Sequence, residues 1–455
     1  MYPIHPPAYA LEVLSGLEEA GFSAWFVGGC VRDSLLGRTP ADWDIATSAR
    51  PEQTAACFPL LPAVTAGEKH GTEGIVICGR VVEATTYRVD GDYTGHRRPE
   101  QVTFTARLEE DLARRDFTIN AMAWHPEKGL VDCFGGLEDL SQGRVRCVGE
   151  PIRRFEEDAL RILRCLRFGA VLGFSVEEET GRAALACREL LGDISGQRIR
   201  EELTKLLAGP GAVQVIRAYA PIFFSALPEL EALSRCAQES PYHCYDCWEH
   251  TLHAVDAVPP EPVLRWAALL HDCGKPLVKS FGPDGWAHFW GHARESVRLA
   301  KGLMERLRFS NQEAEAVAEL IECHGEPLPL PEKRVKRLLA RLGEEGLFRL
   351  LELMRGDVSA QAPALREKRL ALLKEAEDLA RDILRRGDCL GLPGLAVKGN
   401  DLIGLGYVPG KPLGQALNTL LEEVLSGELQ NERPALLARA GELLKGSDGS
   451  LQINM

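Results

Sequence analysis

The sequence predicts an α+β protein, with a mixed sheet and helices in residues 1–148 and a helical remainder. Three observations carry this. A strand-like entry, Ala24 to Val27, breaks at Gly28-Gly29 into a short helical pattern (Cys30 to Leu36) and then into Asp42-Trp43-Asp44-Ile45-Ala46. A run rich in β-branched residues from Ile75 to Val89 reads as a hairpin. From Glu156 to Phe168 apolar residues fall at helical spacing, with Leu160, Leu163, Leu166 and Phe168 forming one stripe.

The first elements define a chemistry. Ala8 to Ala20 reads as an amphipathic helix leading into the strand. Strand side chains alternate faces, so Asp42 and Asp44 point one way while Trp43 and Ile45 point into a core. Two neighbouring carboxylates repel unless a cation lies between them. Hard oxygen ligands of this kind suit Mg²⁺, which binds through carboxylates and substrate phosphates. Gly28 and Gly29 let the backbone approach a ligand closely, and the helix that follows offers N–H groups to an anion. A phosphate cradle beside a carboxylate pair is what metal-assisted phosphoryl transfer needs. A lone Asp-x-Asp would read as two solvated acids on an edge strand; Arg32 and Asp33 upstream favour the metal site.

Residues from Arg50 to Gly67 read as a helix and a strand. Glu83, within the hairpin, either faces the aspartate pair from a neighbouring strand or is an exposed strand residue. Asp90 to Gln101 has no apolar period and reads as a mobile loop near the site. In Leu112 to Met122 a buried face (Phe117, Ile119, Ala121, Met122) follows Arg114, Arg115 and Asp116, and arginine can grip a triphosphate or sugar.

Asp158 and Arg161 lie three apart on the expected helix and so share a face. A carboxylate accepting from an exocyclic amine, beside a guanidinium donating to a ring nitrogen, would pair with cytosine or adenine and reject guanine or uracil. Taken alone, the pair reads as a surface ion pair.

Composition bounds the rest. A chain of 455 residues, 45% hydrophobic and 26% charged, is an ordinary soluble protein of several domains. The net charge of −13 argues against coating nucleic acid by bulk charge. No apolar run spans a membrane and no signal peptide is evident, so a cytoplasmic location is expected. Thirteen scattered cysteines fit a reducing compartment, and the lone Cys244-x-x-Cys247 reads as structural.

The motifs Gly28-Gly29-x-Val31-Arg32-Asp33, Asp42-x-Asp44, Arg114-Arg115-Asp116-Phe117-Thr118-Ile119-Asn120-Ala121, Glu157-Asp158-x-x-Arg161 and Ser195-Gly196-Gln197-Arg198-Ile199-x-x-Glu202-Leu203 occur in this order. Together they resemble the class II tRNA nucleotidyltransferase (CCA-adding enzyme) and bacterial poly(A) polymerase family. The resemblance implies a polymerase-β-like nucleotidyltransferase head over 1–148 and a helical neck over 149–225. It implies Mg²⁺ at Asp42 and Asp44, with Glu83 as third carboxylate. Nucleotide contacts would come from Gly28, Gly29, Arg32, Asp33, Arg115, Asp116 and Asn120, and Glu157, Asp158 and Arg161 would form the amino-acid template for CTP or ATP. The implied partners are a tRNA 3′ end, CTP and ATP, with no membrane. The motifs do not separate full CCA addition from A-adding, CC-adding or poly(A) activity, and the oligomeric state is open.

A second constellation follows: His250 on one expected helix, His271-Asp272 closing another, then His292, His324 and Asp357. Such histidines and aspartates on separate helices can hold a divalent metal. They resemble an HD phosphohydrolase site, with His250, His271, Asp272 and Asp357 as ligands and His292 and His324 serving a second metal. This implies an HD body over 226–362, a helical tail over 363–455 that binds tRNA, and a divalent transition metal beside Mg²⁺. A phosphohydrolase acting on phosphorylated RNA ends or nucleotides is the rival from another class; a decayed HD scaffold is the plain alternative. Lys368 to Arg386 reads as a charged helix, a further helix starts near Pro412, and order is expected to fail after Gly446.

Overall fold

The computed structural model describes residues 4–67, 71–91, 93–94, 96, 98–99 and 102–450. The chain forms two compact units, Met1–Glu231 with Glu305–Phe309, and Ala232–Met304 with Ser310–Met455.

The first unit begins with the helix Ala8–Glu19 and then builds a sheet from β1 (Ala24–Val27), β2 (Asp44–Thr47), β3 (Ala63–Gly67), β4 (Thr72–Ile77) and β5 (Arg80–Thr86). Two short ladders follow, from β6 (Arg88–Asp90), β7 (Tyr93–Thr94), β8 (Arg98–Pro99) and β9 (Val102–Phe104). The sheet closes with β10 (Met122–His125) and β11 (Gly129–Asp132), giving the order β11-β10-β1-β2-β5-β4-β3. All neighbours are antiparallel except β2 and β5. The expected hairpin is β4–β5, and its Cys78-Gly79 turn has φ of 51° and 72°, the sign that a primed two-residue hairpin turn requires.

The entry to β2 alternates as read, although within the strand Ile45, Ala46 and Thr47 are all buried. Trp43 is 5% and Ile45 0% exposed, while Asp42 stays exposed. Burying each large apolar side chain stabilises by about 1.5–3 kcal/mol, which pins the register and so the aspartates to the open face. Trp43 also meets Phe26 of β1 edge-on, ring centroids 5.1 Å apart.

Three expectations are corrected. Asp90 to Gln101 is not a plain loop: β6 pairs with β9 and β7 with β8. Strands of two or three residues are too short to print a period of two. Arg97 and the neighbouring positions 92, 95, 100 and 101 lie outside the described residues. Glu156 to Phe168 is not one helix. The helix Pro151–Glu157 ends at Asp158, which is extended (φ −138°, ψ 103°), and a second helix runs from Leu160 to Leu172. The last helix, Arg433–Ser450, runs past Gly446, and the positions after 450 lie outside the described residues.

The neck region adds helices Glu178–Ala186 and Gly196–Leu207. The second unit is helical apart from the small hairpin Ser280–Phe281 with Ala287–His288. Its helices include Cys247–Ala257, Pro262–Leu270, His292–Arg306, Asn311–Cys323 and Glu332–Ser359, the last kinked at Gly343. Pro363–Arg386 and Lys411–Ser426 follow as expected, and Tyr407 ties the tail together by donating to the Ala440 carbonyl at 2.8 Å.

Candidate active site and metal-ligand cluster

Parallel pairing of β2 with β5 sets Ile45 opposite Ala84. Asp44 and Glu83, one residue earlier on each strand, are therefore lateral neighbours on the same face. Their proximity is electrostatic as well. Burial first, then Glu83 and Asp42, push the Asp44 carboxyl up to about 6, against the opposing pull of Arg115. Three acids held where each raises the cost of ionising another fit a cation. Their oxygens do not all lie within 4.8 Å of one another, unlike those of the clusters in the second unit.

Gly28 ends β1 with φ +74°, a sign that L side chains avoid, and a Cβ there would sit 3.1 Å from Arg115 Nη1. Glycine at this position gives Arg115 its place beside the turn. Arg115 Nη2 donates to Asp111 at 3.1 Å, and its Nε is buried without a hydrogen bond. Arg32 makes a two-pronged contact with Asp33 (Nε to Oδ1 2.8 Å, Nη2 to Oδ2 2.9 Å) and reaches Asn120 Oδ1 with Nη1 at 2.7 Å. Asn120 donates in turn to Asp116 at 3.2 Å, and Asp116 Oδ2 accepts from Arg164 Nε and Nη2 at 2.8 and 2.6 Å. Burial opposes ionisation of Asp116, yet Arg164 and Asn120 hold its carboxyl down at about 2. Asp33, Arg32, Asn120 and Asp116 thus form one continuous network beside the Gly-Gly turn; Asp33 and Asp116 are fully occupied in positioning their partners.

The structure does not pair Asp158 with Arg161. Asp158 Oδ1 accepts from the Leu160 N–H at 3.1 Å, capping the second helix, and Oδ2 accepts from Arg198 Nη2 at 3.0 Å. Arg161 is buried. Its Nη1 donates to Glu157 at 2.8 Å and its Nη2 to the Arg114 carbonyl at 3.1 Å. The two do not share a helix face because the helix breaks between Glu157 and Leu160, where a side chain that can cap is needed.

In the second unit four imidazoles converge on Asp272. His250 Nε2 lies 3.5 Å and His271 Nε2 3.2 Å from Asp272 Oδ2; His292 and His324 Nε2 lie 3.5 and 3.8 Å from Oδ1. Asp357 Oδ1 stands 2.8 Å from His250 Nε2. Two clusters result, His250–His271–Asp272 and Asp272–His292–His324, sharing one carboxylate. Each Nδ1 faces a backbone carbonyl: Ala360, Ala268, Phe289 and Ile321 in turn, at 3.3, 2.8, 2.9 and 2.6 Å. A carbonyl only accepts, so the proton is assigned to Nδ1 and the Nε2 lone pair to the cluster. His292 and His324 then aim lone pairs at each other across 3.1 Å. Burial, then the neighbouring His271, pushes His324 down to about 4. Both oxygens of Asp272 and His271 Nε2 are buried without a well-directed hydrogen bond, although Lys275 Nζ pairs with Oδ2 at 2.6 Å. Imidazole nitrogens gathered around a buried carboxylate fit a divalent metal. All six residues read from the sequence come together here.

Sequence reasoning missed Arg164, Arg198, Lys275 and Gln238. Lys275 Nζ donates to Gln238 Oε1 at 2.7 Å, fixing the ammonium that faces Asp272. Arg198 stood inside a quoted motif, but its partner is Asp158, 40 residues away, and nothing local signalled that contact. Of the C-x-x-C pair, Cys244 is an exposed free thiol, whereas Cys247 is buried with its N–H on the Cys236 carbonyl at 2.9 Å.

Comparison with known proteins defines the class first. The family models of the poly A polymerase head domain, of a probable RNA and SrmB binding site of polymerase A, and of the HD domain match residues 24–146, 173–220 and 242–380. This is a nucleotidyltransferase head followed by an HD domain. A CCA-adding enzyme of Lactobacillus delbrueckii subsp. bulgaricus is 35% identical over 431 residues, 94% of this chain and 96% of the relative. One from Geobacillus stearothermophilus is 33% identical over 434 residues, 94% and 95% of the two chains. One from Geobacillus thermodenitrificans is 49% identical over 211 residues, 46% of this chain and 52% of its own length. Among solved structures, the Bacillus stearothermophilus CCA-adding enzyme in complex with CTP superposes with TM-score 0.74 at 29% identity, covering 97% of this chain and 98% of that one. The chain belongs to the CCA-adding enzyme family. No described helix is long and apolar enough to cross a membrane.

Proposed function

We propose that this enzyme adds CMP and AMP from CTP and ATP to the 3′ end of tRNA, completing CCA without a nucleic-acid template. The observation that carries the reading is Asp44 beside Glu83 on adjacent parallel strands, next to the Gly28–Gly29 turn. Full CCA addition is preferred over A-only, CC-only or poly(A) addition because relatives of that name match across 94% of the chain. The head spans 1–148, the neck 149–225, the HD body 226–362 and a tRNA-binding tail 363–455. A cytoplasmic location suits an enzyme acting on tRNA.

Mg²⁺ held by Asp42, Asp44 and Glu83 would lower the pKa of the attacking hydroxyl and neutralise charge on the phosphates. The terminal hydroxyl attacks the α-phosphate; a new phosphodiester bond forms, the α–β anhydride bond breaks, and pyrophosphate leaves. Gly28 and Gly29 admit the triphosphate close to the backbone. Arg32, oriented by Asp33 and Asn120, and Arg115, set by Asp111, supply its cationic contacts, and Asp116 holds Asn120 in place. Asp158 accepts from the exocyclic amine of cytosine or adenine, and Arg161, released from Glu157 and the Arg114 carbonyl when the base arrives, donates to the ring nitrogen, so guanine and uracil leave buried polar groups unpaired. Asp42→Ala protein that incorporates CMP with Mg²⁺ at the wild-type rate would defeat this reading.

A second activity is favoured by one observation, the Asp272-bridged pair of histidine clusters. His250, His271, Asp272 and Asp357 would hold one divalent transition metal and His292, His324 and Asp272 another, and such a site supports hydrolysis of phosphate esters.

A further inference from the structure

Among the described residues, one aromatic ring receives three cations and no other receives more than one. That ring is Phe168. The guanidinium carbons of Arg167, Arg32 and Arg164 stand 4.0, 5.0 and 5.6 Å from its centroid. Phe168 is 4% exposed, and the fully buried Phe117 meets it edge-on with centroids 5.7 Å apart. The apolar stripe of its helix asks only for a large hydrophobe there, which leucine would supply. Three like charges around one point repel, and more strongly away from water.

Polar partners hold the edges of these cations. Arg167 Nε donates to Glu202 at 2.6 Å. Arg164 is held by Asp116, with Glu202 a further 3.9 Å from its Nη1. Arg32 is fastened by Asp33 and Asn120. The guanidinium faces are left to the ring, whose negative π face attracts a cation, most of all where water is excluded. Arg164 and Arg167 share the helix Leu160–Leu172 with Phe168. Arg32 comes from another element, the helix Gly29–Leu35, and a Cβ on Gly29 would lie 3.8 Å from its Nη2. Of the five N–H groups of a guanidinium, Arg32 spends three on Asp33 and Asn120, and two remain for an anion.

We propose that Phe168 is a positioning residue for triphosphate binding: its ring holds the Arg32 guanidinium by the face and keeps the remaining N–H groups beside the Gly28–Gly29 turn. The inference rests on the reading of Arg32 as a triphosphate contact and adds what sets it in place. It also divides two tasks along one helix. Arg161, at the helix start, serves the base; Phe168, two turns further on, serves the phosphates.

The test uses the full chain with Mg²⁺ and a tRNA transcript lacking CCA. Phe168→Leu removes the ring. In a second series the ring of Phe168 bears one, two or three fluorines, which keep its shape while weakening the negative face. The readouts are KM and kcat for CTP, the inhibition constant of inorganic tripolyphosphate against CTP, and the ratio of kcat/KM for CTP over GTP. Phe168→Leu should raise KM and the inhibition constant together by about tenfold, with kcat lowered by no more than about threefold. The ratio of CTP to GTP should stay within about twofold, because the base is read by other groups. Across the fluorine series both constants should climb with each fluorine. Flat constants across that series, with Arg32→Ala still weakening tripolyphosphate, would show a ring that only fills the core and would overturn the positioning role alone. A rise in KM without a matching rise in the inhibition constant would overturn it too. Tripolyphosphate that binds wild-type and Arg32→Ala protein equally well would overturn Arg32 as a triphosphate contact, and the role of Phe168 with it.

Discussion

Arg198 Nη2 donates to Asp158 Oδ2 at 3.0 Å, while Arg161 turns away to Glu157. The carboxylate that would read the base is thus held by the neck helix Gly196–Leu207, and Arg198 Nη1 is buried without a hydrogen bond. Arg198 is a positioning residue for Asp158. Arg198→Ala should cut kcat/KM for CTP and ATP by about tenfold, the weight of a hydrogen bond to a charged group at a partly exposed site. It should also raise GTP and UTP misincorporation relative to CTP. A purely structural role would slow all four nucleotides alike, so steady-state kinetics with each nucleotide decides the matter.

Glu83→Gln keeps the shape of an exposed strand residue and removes one charge beside Asp44. Stability should hardly change. Incorporation should fall by about a hundredfold or more, as loss of charge stabilisation at a phosphoryl-transfer centre does. Thermal melts and single-turnover incorporation on the same protein separate the two.

Asp44 titrates at about 6 when no cation is bound. Its folded value is raised, so below about pH 6 a proton competes with the metal for this carboxylate, and above it the ligand is free. The Mg²⁺ concentration for half-maximal incorporation should therefore rise by about tenfold per pH unit below 6 and level off above 7. Mg²⁺ titrations at a series of pH values would show this; a requirement independent of pH between 5 and 7 would contradict it.

Asp116 is the opposite case. Arg164 and Asn120 overcome burial and lower its carboxyl to about 2, against an unfolded value of about 3.9. Its contribution is fully present above about pH 4 and is lost as pH falls toward 2. Arg164→Ala leaves a buried carboxylate unpaired and should cost about 3 kcal/mol at pH 7. The deficit should shrink as pH drops from 5 to 3, which denaturant titrations at each pH would measure.

The HD cluster predicts metal retention. Dialysed wild-type protein should keep a divalent transition metal by elemental analysis, and His271→Ala or Asp272→Ala should lose it, since each removes a ligand from a buried set. Equal metal content in all three proteins would contradict the assignment.

Much of this was legible in the sequence because alternation is a local signal. Trp43 and Ile45 against Asp42 and Asp44 declared their faces, and the hairpin within Ile75 to Val89 followed from its β-branched residues. The lateral meeting of Asp44 and Glu83 was harder, since parallel register depends on strands far apart in sequence; only the choice between two faces could be read. The break at Asp158 was hidden because the apolar stripe continues across it, and a capping aspartate looks like any polar residue within a helix. Arg164 and Arg198 were missed for a related reason. Their roles come from contacts with Asp116 and Asp158, 48 and 40 residues away. The HD ligands were easier, because histidine beside aspartate is uncommon enough to be noticed one pair at a time.

The central claim is tested most directly by offering labelled CTP, ATP, GTP and UTP, with Mg²⁺, to three tRNA transcripts: one lacking CCA, one ending in C and one ending in CC. The account predicts addition of C, C and then A to the first, C and A to the second, A alone to the third, and then a stop, with no use of GTP or UTP. A-addition confined to the CC-ended transcript, CC-addition without A, or long A tails would each contradict complete CCA addition. No incorporation at all would contradict the head-domain chemistry itself.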